Sequence, residues 1–147
     1  MAYQVKRKSR IKERLELCDE SGAVVLPVDV EINIDDMAGR ITAAQQTLGM
    51  AQELINREPQ SEKAQEAFGS AVIALFSVIF GKKNTDKILA FYSGRYTEML
   101  VDVFPFINDC IMPKIKEASA ARRQQLLDAA NAARAAKRKT LLSFFRQ

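Results

Sequence analysis

Hydrophobic positions along this chain change period near residue 35. Before it, Ile11, Leu15 and Leu17 share one face, and Val28, Val30, Ile32 and Ile34 alternate with Asp29, Glu31 and Asn33. A period of two predicts strands. Between these runs, Asp19-Glu20-Ser21-Gly22 carries turn chemistry, with Gly22 free to take a positive φ, so the segment reads as a β-hairpin. Pro27 donates no ladder hydrogen bond and predicts either a bulge or an outward-facing edge position on the second strand. A lone two-stranded ribbon is only marginally stable, so it must pack on helices or pair with a neighbouring subunit.

After Asn33-Ile34-Asp35-Asp36 the spacing becomes three and four. Met37, Ile41, Ala44, Leu48, Ala51 and Ile55 predict a helix with an Asp cap in front, ending before Pro59. Ser61 starts a second helix through Phe68, Val72, Leu75, Phe76, Ile79 and Phe80, closed by Gly81. Beyond Ala71 it is apolar on nearly all sides, which places it at the centre of the fold. Asn84 or Thr85 is expected to cap a short helix carrying Ile88, Leu89, Phe91 and Tyr92, closed by Gly94. Residues 96–115 form an amphipathic helix containing Pro105 and Pro113. A kink is expected near Val101 to Pro105, and a distorted turn before Pro113.

From Ala118 to Ala136 the chain is mostly Ala, Arg and Gln, with Leu126 and Leu127 as the only large apolar side chains. Helix propensity there is high and packing potential low, so the helix is expected to protrude and find its partner outside the domain. The end of the chain turns apolar again at Leu141, Leu142, Phe144 and Phe145, which could dock on the body or on another chain. The expected fold is mainly α with an N-terminal β-hairpin (α+β). It divides into a basic arm and hairpin (1–34), a small helical bundle (35–117) and a basic C-terminal helix and tail (118–147).

Composition narrows the chemistry. At 147 residues the chain is long enough to bury about two thirds of its extended surface as one core. The absence of His removes the commonest general base near neutral pH and the commonest metal ligand. Cys18 and Cys110 are too far apart for a redox or zinc motif and are expected to be buried thiols in a reducing cytosol. The N-terminal residues lack the apolar stretch of a secretory signal, and the run from Ala71 to Phe80 is short for a bilayer, so no membrane role is expected.

The net charge of +4 hides a division. Residues 1–14 hold six basic residues and one acidic, residues 15–113 hold seven and fifteen, and residues 114–147 hold nine and two. An acidic body between basic ends suits a second copy, an acidic partner or nucleic acid.

Glu98 and Asp102 share a helical face but lack a third anchor for a hard cation, so they read as a solvated face. Asp35-Asp36 reads as helix capping. No Gly-rich phosphate loop exists, and no serine has an activating base. Neither catalytic residue, metal nor cofactor is expected. The basic runs at Lys6 to Arg10 and Arg134 to Lys139 are candidate phosphate contacts. The aromatics that would stack bases, Phe91, Tyr92, Tyr96, Phe104 and Phe106, lie instead in the acidic body and read as core.

One block carries a resemblance. Ile88-Leu89-Ala90-Phe91-Tyr92-Ser93-Gly94-Arg95-Tyr96-Thr97-Glu98-Met99-Leu100, followed by Phe104-Pro105, is similar to a helix of the tail assembly chaperones of long-tailed, non-contractile bacteriophages and prophages (siphophages). The order of hairpin, helices, Gly-Lys-Lys-Asn loop and basic C-terminal helix extends the resemblance over most of the chain. It implies a non-enzymatic role in virion assembly. Several copies would coat the tape measure protein in the host cytoplasm, recruit tail tube protein and leave before the virion matures. The resemblance further implies a chain that exists beside a frameshifted, longer form.

A chaperone for an apolar helix needs adaptable surface and weak self-association, making a homo-oligomer the expected state. The residues expected to carry client or subunit contacts are Arg122, Arg123, Leu126 and Leu127, with Leu141, Leu142, Phe144 and Phe145 at the tail. The hairpin is expected to contribute as well. The alternative reading is a basic nucleic-acid-binding accessory protein of phage origin.

Overall fold

The computed structural model describes residues 2–5 and 10–145. It is mainly α with an N-terminal antiparallel hairpin, as the periodicity predicts. Strands β1 (Ile11–Cys18) and β2 (Val24–Ile32) pair with Leu15 opposite Val28 and Glu13 opposite Val30. Asp19 closes the turn. Its carboxylate accepts from the Ser21 hydroxyl at 2.6 Å and from the Ser21 and Ala23 amides, which holds its pKa below the ordinary carboxylate value. Pro27 takes the edge position: it faces Glu16 and solvent, while the register irregularity falls between Leu17 and Cys18.

Helix α1 (Ile34–Arg57) is capped by Asn33, whose side chain accepts from the Asp35 amide. Asp35 and Asp36 are therefore not the cap but occupy the first turn, where negative charge suits the helix dipole. Helix α2 (Glu62–Phe80) begins at Ser61, whose hydroxyl accepts from the Ala64 amide, and ends at Gly81 with φ +82°, a conformation that favours glycine. By length and composition α2 could cross a membrane. Here half of its apolar stretch is buried against β2, α1 and the helices that follow.

Helix α3 (Lys82–Phe91) begins directly at Gly81, with no side-chain cap. Asn84 and Thr85, expected to cap it, lie inside its first turn instead. Asn84 donates to the Phe80 carbonyl, and the buried Thr85 hydroxyl donates to the Gly81 carbonyl at 2.8 Å. Because Gly81 both ends α2 and opens α3, these residues have no loop left to cap.

Beyond the corner at Tyr92–Arg95 the chain is helical to Phe145: α4 (Tyr96–Pro105), a π-helical stretch (Phe106–Ile111) and α5 (Met112–Phe145). The π-helical stretch is the distorted turn expected before Pro113, and it begins directly after Pro105. Two prolines without N–H groups flank it, and the wider turn is seen where the Met112 amide donates to the Ile107 carbonyl. Residues 117 and 118 lie within α5, so no break separates body from tail.

The core joins Val28, Val30 and Ile32 of β2 to Ile41 and Leu48 of α1, Val72, Leu75 and Phe76 of α2, Ile88 of α3, and Met99, Val103, Ile107 and Ile111 beyond the corner. Each such side chain contributes about 1.5–3 kcal/mol through burial.

Candidate interaction surface

Helix α5 is rooted in the body and then leaves it. Ile111 and Ile115 are buried, Ala118 and Ser119 half-buried, and every residue from Ala120 to Phe145 is exposed. Two ion pairs hold the root. Lys114 pairs with Glu13 on the core-facing side of β1, and Arg122 reaches Asp35 at the start of α1, 3.2 Å away. Between them a cleft of about 470 Å³ opens between the hairpin base and α5, lined by Ile11, Ile32, Ile34, Ala118 and Ala121 and edged by Arg10 and Arg122.

At 1.5 Å per residue the free part of α5 extends about 40 Å. Leu126 is 62% exposed, Leu127 52%, Leu141 49%, Leu142 58%, Phe144 73% and Phe145 78%. The helical repeat sorts five of these six residues into two neighbouring stripes and leaves Leu142 on the side opposite the first. Leu126, Ala129, Ala133 and Phe144 continue the line of Ile115. Arg123, Leu127, Arg134, Arg138, Leu141 and Phe145 lie beside it. A long apolar helix could lie against the first stripe, with acidic side chains meeting the second. The tail set named from sequence is thus on one exposed helix, and Arg122 is the member that already has a partner in the body. Lys6 to Ser9 of the N-terminal basic run lie outside the described residues.

The resemblance block forms the α3–α4 corner and turns its large apolar side chains inward. Ile88, Tyr92, Met99 and Leu100 are buried, Leu89, Phe91, Tyr96 and Phe104 half-buried, and Gly94 and Pro105 exposed. Burial, with the carboxylates of Asp102 and Glu98 nearby, pushes the Tyr92 hydroxyl up to about 12, and that hydroxyl hydrogen-bonds Asp102. Glu98 also pairs with Arg95 at 3.2 Å. Both carboxylates thus have protein partners, and among the described residues no cluster of three or more His, Cys, Asp or Glu could hold a metal.

Cys18 and Cys110, expected to be buried, are both exposed. Cys18 sits on the solvent side of the hairpin at the irregular register, and Cys110 lies between the inward-facing Ile107 and Ile111.

A contact that the sequence did not disclose is the seat of Tyr96 on Gly69. A Cβ at Gly69 would lie 3.1 Å from two atoms of that ring, and Phe68 packs beside it with ring centroids 6.2 Å apart. No spacing rule links positions so far apart in the chain.

Compared with known proteins, the chain matches no family model, no curated protein and no solved structure.

Proposed function

We propose that this protein is a non-enzymatic tail assembly chaperone that holds a tape measure protein soluble through its C-terminal helix and hands it to tail tube subunits. The observation that carries the reading is the free length of α5. It projects leucines and phenylalanines into solvent on a scaffold of alanines, beside arginines and lysines. Alone, a helix with so little to bury is marginal, and laying it on an apolar helical client would bury both faces. The motif at the α3–α4 corner supports the same reading through its similarity to that family.

Co-expression tests it. Full-length protein is expected to keep a long, apolar, helical protein of the tape measure kind soluble and to co-purify with it. A chain ending at Ser119 is expected to leave that client insoluble. Equal solubilisation by the two would refute the proposal. Binding to DNA that falls steeply as salt rises, with no effect on the client, would favour the nucleic-acid reading instead.

A further inference from the structure

We propose that the outer edge of β1 is a self-association site. It pairs antiparallel with β1 of a second copy so that Arg14 of each chain faces Glu16 of the other. The proposal draws on the hairpin alone and goes beyond the chaperone reading, whose client contact lies on α5.

The direction of the backbone groups comes first. The Asp19 amide donates to the Ala23 carbonyl across the hairpin, 3.0 Å away. Alternate residues of a strand point their main-chain groups the same way, so Leu17, Leu15, Glu13 and Ile11 bond to β2, whereas Lys12, Arg14 and Glu16 face outward. Among the described residues, no main-chain hydrogen bond outside the hairpin uses those three. The Glu16 carbonyl has only the Cys18 thiol, at 3.8 Å.

The opposite edge differs. Pro27, which faces Glu16 across the ladder, lies on the outer edge of β2 and offers no N–H there. A proline on an edge strand blocks further pairing, and β2 also lies against α2 and α3. One edge of the ribbon is blunted and the other is open.

Burial is uneven in the same sense. On the core-facing side, Val28, Val30 and Ile32 of β2 are buried while Ile11 and Leu15 of β1 are only half-buried; toward the turn the order reverses, with Leu17 buried and its partner Leu26 half-buried. The apolar face is left unfinished toward the open edge, and another strand alongside β1 would extend it.

Charge then selects the partner and the register. Antiparallel pairing sets outward-facing residues of one strand opposite outward-facing residues of the other. Arg14 opposite Lys12 or Arg14 of a second copy would set like charges together, and Arg14 opposite Cys18 would set Glu16 against Glu16. Arg14 opposite Glu16 makes two opposite-charge pairs related by a twofold axis, with Leu15 meeting Leu15 at the axis. Arg14 opposite Arg14 would also bring Lys12 to Glu16, but around a like-charged centre; the Arg14–Glu16 register sets opposite charges together with no like pair among the outward-facing residues.

Sedimentation velocity on the full chain tests this. Arg14→Glu and Glu16→Arg are each expected to weaken self-association by about tenfold or more. An equimolar mixture of the two variants is expected to restore it, because opposite charges again face each other across the axis. Circular dichroism of each variant, unchanged from the parent, shows that the fold survives. A parent chain that stays monomeric at high concentration would overturn the proposal, as would single variants that associate like the parent or a mixture that associates no better than its components. Client solubilisation scored on the same samples separates the two readings, since loss of the β1 pairing leaves the α5 arm intact.

Discussion

Arg122 of α5 forms an ion pair with Asp35 of α1 at 3.2 Å, with both side chains largely exposed. It ties the C-terminal helix to the body, and exposed pairs of this kind contribute little. Arg122→Ala is expected to lower stability by less than about 1 kcal/mol, and by less still in high salt. Urea denaturation at two ionic strengths measures both.

The Tyr96 ring on Gly69 is a stricter constraint. Gly69→Ala improves intrinsic helix propensity but drives a methyl group against the ring carbons. The clash outweighs the propensity, and a net loss of about 1 kcal/mol is expected. In the background of Tyr96→Ala, where the ring is absent, the same change is expected to stabilise. A double-mutant cycle by thermal denaturation reads the coupling.

The hydroxyl of Tyr92 gives a pH dependence. Its folded pKa of about 12 lies above the ordinary 10.0, so folding favours the neutral form. That contribution is present in full below pH 10 and is lost as pH rises from 10 to about 12. Ultraviolet titration is expected to show one late-ionising tyrosine, absent in Tyr92→Phe, and the fall in stability across that window is expected to shrink in the same variant.

Local chemistry was legible in the sequence wherever it repeats at short range. The alternation of Val28, Val30 and Ile32, the Ser61 cap and the Gly81 stop each depend on neighbours a few positions away. The misjudged positions were decided by what a neighbouring element left available. Asn33 caps α1 because it is the residue that stays extended there, leaving Asp35 and Asp36 to the first turn. Thr85 is interior because Gly81 serves two helices at once. The π-helical stretch shows how the chain absorbs two missing N–H groups, and a list of prolines does not specify that. In the candidate site, the exposed leucines and phenylalanines of α5 could be anticipated from its Ala-rich composition. The open edge of β1 could not, since it depends on strand direction and on where Pro27 faces.

Beyond Ser119 the helix has no buried residue to hold it. Amide hydrogen exchange is expected to be slow through Ile115 and to quicken from Ala120 onward, with protection appearing along residues 120–145 when the client is bound. Uniform protection along the free helix would contradict this.

The most direct test compares the full chain with one ending at Ser119, each co-expressed with the long helical client, by measuring the soluble fraction of that client. The shortened chain is expected to fold with a loss of less than about 1 kcal/mol, because the described residues it discards, 120–145, are all exposed, and to leave the client in the pellet. A shortened chain that keeps the client in solution as well as the parent would contradict the account.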